Sequence, residues 1–120
     1  MSANEVLYHF QVYIPPALKE STIYRLRYSK HATNAALQDR YCCKMKVFKL
    51  PEVLNTEKAL LVEVGLNSEN QVSKRVYRTR ANSTLDLVLV VLPDGLVKTV
   101  WFNSRSDRHP TLDRSRYALT

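Results

Sequence analysis

Glycine is nearly missing from this 120-residue chain: Gly65 and Gly95 are the only two. A GxGxxG fingerprint needs three glycines and a P-loop needs two of them five positions apart, so neither can be written here, which excludes the usual dinucleotide enzymes and NTPases. Cysteine is equally scarce. Cys42 and Cys43 are neighbours with no second pair to join and no Cys/His cluster beside them. They exclude a disulfide framework and a zinc site, and read as packing residues of a protein kept in a reducing compartment. No apolar run approaches the roughly 18 residues that span a bilayer. The opening MSANEVLYHFQVYIPP lacks the basic and apolar regions of a secretory signal. The expectation is a soluble cytoplasmic protein with no membrane contact, in the host cytoplasm if phage-encoded. The carboxylates are scattered, so no metal ligand set is expected, two-metal chemistry is disfavoured and no cofactor is called for. No GxSxG is present either.

What the chain has in excess is positive charge, +7 in total. Residues 1–70 hold nine Lys/Arg and seven Asp/Glu, whereas residues 71–120 hold nine Lys/Arg and four Asp/Glu. Seven of those last nine cations are Arg, the side chain whose fork matches phosphate. Such a surface attracts polyanions. RNA is the favoured partner, with DNA or an acidic protein as alternatives, and solubility alone is the competing explanation.

The length is that of one domain, 1–120, with a polar basic tail over 104–120 that is expected to be partly ordered. Residues 5–14 alternate as a strand and stop at Pro15-Pro16. Residues 17–28 fit either a short strand or a lead-in to a helix. Ser29 is suited to cap a helix over 30–41, with Ala32, Ala35, Ala36 and Leu37 as its apolar stripe. Strands are expected over 45–50, 59–66, 71–80, 84–92 and 96–103. Pro93-Asp94-Gly95 turns the last pair into a hairpin. The fold class expected is α+β: an antiparallel sheet of about four to five strands with one or two N-terminal helices packed on one face.

The chemistry within easiest reach is metal-free RNA cleavage. It needs a base for the 2′-OH, an acid for the leaving oxygen and cations for the phosphorane. His31, in the first helical turn, would have its cationic form disfavoured by the dipole, and a neutral imidazole there can act as a base. A hydrogen-bonded helix-start histidine is the plain alternative. His109, between Arg108 and Pro110, suits a phosphate contact or simple exposure, and His9 reads as structural. In the segment KRVYRTR, Lys74, Arg78 and Arg80 share one strand parity, while Arg75 and Tyr77 share the other. Cations beside an aromatic suit backbone contact with base stacking, and a solvated strand face is the competing reading. Thr99 and Trp101 share a parity on the last strand. Trp101 is more often a core residue than a stacking platform.

LRYSKHATNAALQDRY, over 26–41, resembles the helix start of small ribonucleases of the RelE/EndoU/barnase-like group, in particular the phage RegB type. The shared features are a basic-aromatic lead-in, Ser-Lys-His at the helix start and a later Arg. The order of elements through residue 103 is similar too: a strand with Tyr77, Arg78 and Arg80, an apolar strand, and a hairpin ending in TVWFN. The resemblance implies a metal-independent endoribonuclease or a ribonuclease-like RNA-binding protein working through a basic sheet face. His31 would be base or acid. Arg78, Thr99, His109 and Tyr117 would complete the catalytic set, and Arg40, Lys74, Arg75, Arg80, Arg105, Arg108 and Arg116 would hold nucleic acid. The group's second histidine has no mid-chain counterpart here, so His109 would have to serve from the tail. The alternative is a non-catalytic, phage-type modulator that binds nucleic acid or an acidic host protein. Convergence of His31, Arg78 and Thr99 in one cleft would favour the enzyme. A flat basic face formed by Arg75–Arg80, far from any histidine, would favour the binding module.

Overall fold

Residues 60–104 build the four central strands of the sheet, and the first part of the chain adds its two edge strands and the helix that covers one face. A computed structural model describes residues 5–38, 49–106 and 113–120. In chain order the elements are β1 Val6–His9, β2 Ile23–Arg25, β3 Arg27–Tyr28, α1 Lys30–Gln38, β4 Val53–Asn55, β5 Leu60–Leu66, β6 Val72–Arg80, β7 Leu85–Val91 and β8 Leu96–Ser104, with short 3-10 turns between some of them. Six strands form one sheet in the order β1-β5-β6-β7-β8-β3, and β2 pairs with β4 in a separate two-stranded sheet.

This corrects the expected architecture. The sheet is larger than four to five strands, and it is mixed rather than antiparallel, because β3 runs parallel to β8. Among the described residues α1 is the only α-helix, and it follows three strands instead of leading the chain. The physical reason lies in residues 23–28. Leu26 N–H donates to Glu52 O and Arg27 N–H to Gly95 O, so the chain leaves the small sheet at one residue and joins the large one at the next. Gly95 makes that crossing tight. It has φ of 89°, and a Cβ there would stand 2.8 Å from Arg25 O, a position open only to glycine.

The first expected strand is also shorter. It stops at His9, and the N–H groups of Val12 and Tyr13 both turn back to His9 O. The expected strand over 45–50 lies mostly outside the described residues, as do 39–41 of the expected helix. No helix of the described residues is long and apolar enough to cross a membrane.

One face of the sheet carries the main core. Tyr77, Leu87, Leu89, Val91, Val97, Val100 and Phe102 meet Leu26, Leu54 and the α1 residues Ala32 and Ala36. Burying each of these Leu or Val side chains contributes about 1.5–3 kcal/mol. The two alanines lie one turn apart, and their small size lets α1 settle closely on β8. Leu37, expected in the same stripe, is instead exposed. Ser29 caps α1 as expected: its Oγ accepts the Ala32 N–H at 3.0 Å and donates to Lys98 O at 3.0 Å, tying the helix start to β8. A second cluster, Tyr8, Ile14, Val64 and Leu66, closes the β1 end.

Glu20 locks the loop before β2 onto this core. Tyr77 Oη donates to Glu20 Oε1 at 2.6 Å and Tyr24 Oη to Oε2 at 2.8 Å. Arg75 Nη1 lies 3.2 Å from Oε2, while its Nε donates to Leu18 O at 3.1 Å. Removing the carboxylate would leave a largely buried guanidinium uncompensated and two phenols without an acceptor. Glu20→Ala is expected to lower stability by about 3 kcal/mol. Urea unfolding checks this, and a loss below about 1 kcal/mol would show that water replaces the carboxylate freely.

Candidate nucleic-acid interface

Strand β6 has two chemically different sides. Arg75, Tyr77 and Thr79 face the α1 side, and Lys74, Val76 and Arg78 face the other, while Arg80 ends the strand. Register carries the second side across the sheet. Val76 pairs with Val90 and Arg78 with Val88, while on β8 Trp101 pairs with Val88, Thr99 with Val90 and Asn103 with Asp86. Val76, Val88 and Val90 form a small apolar patch there, with Val62 packed against it.

The cations expected to make this side basic are largely engaged within the protein. Arg78 Nε donates to Asp86 Oδ2 at 2.7 Å, and its Nη2 donates to Ser104 O at 2.9 Å. Arg105 Nε lies 3.7 Å from Asp86 Oδ1, and its Nη1 donates to Ser83 O at 3.0 Å. Lys74 Nζ lies 3.3 Å from Glu63 Oε2 and 3.9 Å from Glu5 Oε1. Arg75, on the core side, is held by Glu20. Arg80 is exposed.

The C-terminal segment returns to the far edge of the sheet beside β1. Asp113 caps a short 3-10 turn, Arg114–Arg116. Arg114 Nη2 donates to Gln11 O at 2.6 Å, and Ala118 N–H to Leu7 O at 2.9 Å. These bonds place Tyr117 over the open side. Its ring centroid lies 4.8 Å from that of His9, its hydroxyl donates to Glu63 Oε1 at 2.9 Å, and the Arg116 guanidinium stands 5.8 Å from the ring centroid. His9 is buried, and its Nδ1 accepts the Gln11 N–H at 3.1 Å.

Between Tyr117 with His9 on one flank and Trp101 on the other opens a cleft of about 170 Å³. Val62, Val76 and Val88 line it, and Glu63, Arg78 and Asn103 supply its polar groups. Trp101 is 37% exposed. The arrangement offers flat aromatic surface over an apolar floor with hydrogen-bonding groups at the margin, the combination that holds a planar ring.

Of the residues expected to act together, the cleft gathers Arg78 and Tyr117. Thr99 lies on the same side of the sheet but does not line the cleft. His31 is exposed on α1, across the sheet from all three. His109, Arg40 and Arg108 lie outside the described residues. His9, Glu63, Trp101 and Asn103 were not expected at the site. The signal for two of them was present in LVKTVWFN, where Thr99, Trp101 and Asn103 oppose the core parity of Val100 and Phe102. Comparison of the chain with protein families, curated proteins and solved structures finds no match.

Burial, and then Glu63 beside the hydroxyl, pushes Tyr117 from 10.0 up to about 12. Burial and then Glu20 do the same to Tyr24, also to about 12. A raised tyrosine pKa stabilises the fold while the unfolded phenol is still neutral. That contribution is complete below pH about 10 and lost as pH climbs toward about 12. Unfolding free energy is therefore expected to hold up to pH about 10 and then fall. Glu63→Gln is expected to bring the Tyr117 titration down, read by tyrosinate absorbance against Tyr117→Phe. An unmoved titration would show that Glu63 does not act on this phenol.

Proposed function

We propose that this chain is a single-stranded RNA-binding module that holds an unstacked base in the cleft between Trp101 and Tyr117. The observation that carries the reading is that the partly exposed Trp101 and Tyr117 line one cleft over a valine floor, with Asn103, Arg78 and Glu63 in the same lining. Bases in a duplex are stacked on each other and cannot enter such a slot, whereas a single strand can present them one at a time. The net charge of +7 draws the polyanion in. The polar margin then discriminates among base edges, because Glu63 accepts hydrogen bonds and Asn103 both donates and accepts them.

Binding without cleavage is the reading favoured over the ribonuclease. Metal-free cleavage needs a base and a phosphorane-stabilising cation at one phosphate. His31 has the six-stranded sheet between it and Arg78, and His9 is buried with Nδ1 already accepting a hydrogen bond.

Trp101 is the only tryptophan in the chain, so its fluorescence reports the cleft directly. Titration with a short single-stranded RNA is expected to quench it saturably, with affinity falling as salt rises. Trp101→Ala is expected to weaken binding about tenfold or more, the effect of losing one stacked base. Labelled RNA in EDTA should stay intact with the wild-type protein and with His31→Ala alike. Undiminished binding by Trp101→Ala, or cleavage that disappears in His31→Ala, would overturn the reading. Binding of an acidic protein with no response to RNA would favour the modulator instead.

A further inference from the structure

A second opening lies on the α1 side of the sheet, where β4 and the turn after it approach the ends of β6 and β7. It is a groove of about 380 Å³ whose lining includes Lys49, Lys58 and Arg80 together with Asn55 and Thr79. None of the described residues lining it is acidic. Elsewhere on β6 the charges are balanced: Lys74 has Glu63, Arg75 has Glu20 and Arg78 has Asp86. Here the pattern breaks. Lys58 and Arg80 are exposed and make no ion pair among the described residues. Lys49 meets Glu52 at 3.2 Å, but both side chains are more than three-quarters exposed, and such a pair yields readily to a stronger anion.

The neutral groups point to the same chemistry. Asn55 Oδ1 already accepts the Glu57 N–H at 3.1 Å, which leaves its amide N–H groups to donate. Thr79 sits opposite Leu87 in register, and both line the groove, so its hydroxyl is a second donor on the groove side. A concave surface with Lys58 and Arg80 unpaired, Lys49 in an exposed pair, two further donors and no carboxylate among its described lining residues suits a tetrahedral oxyanion. Arg80 can fork onto two of its oxygens, and the lysines act as point charges.

We propose that this groove is a phosphoryl-binding site, distinct from the aromatic cleft and separated from it by the sheet. The phosphoryl group comes either from the backbone of a nucleic acid that rounds the β6–β7 end of the sheet or from a free polyphosphate compound. The site does not depend on the base-binding reading, since it contains neither Trp101 nor Tyr117.

The test uses the full chain and tripolyphosphate, followed by amide chemical shifts. Saturable shifts are expected at Asn55, Lys58, Thr79 and Arg80, with affinity that falls as salt rises. The Lys58→Gln/Arg80→Gln double variant should lose at least tenfold in affinity. The charge-preserving swap Lys58→Arg/Arg80→Lys should retain most of it, which separates loss of charge from loss of fold. Shifts spread evenly over all lysines, or an affinity unchanged in the double variant, would overturn the proposal. Competition then assigns the source. A short single-stranded RNA that displaces tripolyphosphate, and whose salt slope drops by about 2 in the double variant, supports backbone phosphate. Tripolyphosphate binding that RNA does not disturb supports a free polyphosphate ligand. Both outcomes hold with Trp101→Ala in place, so failure of the cleft and failure of the groove are told apart.

Discussion

Alternation along β6 sends Tyr77 into the core and Arg78 to the opposite side of the sheet, and the rest of the molecule is arranged around that division. On the Tyr77 side, Glu20 gathers two phenols and Arg75, anchors the loop before β2, and leaves room for α1 to rest on β8 through Ala32 and Ala36. On the Arg78 side, the same register brings Trp101, Asn103 and the valines of β6 and β7 to a surface that the C-terminal segment flanks with Tyr117. A one-residue slip would exchange the two sides, burying the ion pairs and exposing the core. The alternation of β6 and β8, each with a core parity and an open parity, makes such a slip costly.

The charge of this protein shows why a count of cations does not describe a surface. An excess of arginine over residues 71–120 suggests a basic face, yet most of the β6 cations are spent on carboxylates supplied by β5, β7 and the loop before β2. What remains on the open side is a set of paired charges beside the aromatic surface of Trp101 and Tyr117. Unbalanced charge is found instead at the end of the sheet, around Lys58 and Arg80.

Much of the sheet was legible in the sequence because its signals are local. The alternation of residues 71–80, the apolar run after Thr84 and the Pro93-Asp94-Gly95 turn place β6, β7 and β8 within a residue or two, and Ser29 marks the helix start. The β3–β8 pairing was not legible. It rests on two residues, Arg27 and Tyr28, whose parallel partner lies some seventy positions away, and no local periodicity encodes a distant partner. The aromatic cleft was half legible. The parity of Trp101 was visible, but which side of the sheet α1 would cover was not, and that decides whether the indole is core or surface. His31 illustrates the opposite error. Its place at a helix start was read correctly, but its distance from Arg78 depends on which face the helix packs against, a tertiary fact.

The most direct test of the division between the two sides is a map of backbone amide shifts on adding an unlabelled single-stranded RNA. The account predicts that the largest changes fall at Trp101, Asn103, Val88 and Tyr117, while the start of α1 around His31 is little affected. Changes centred on His31 and the first turn of α1, with the Trp101 side silent, would contradict it and return the histidine to the centre of the function.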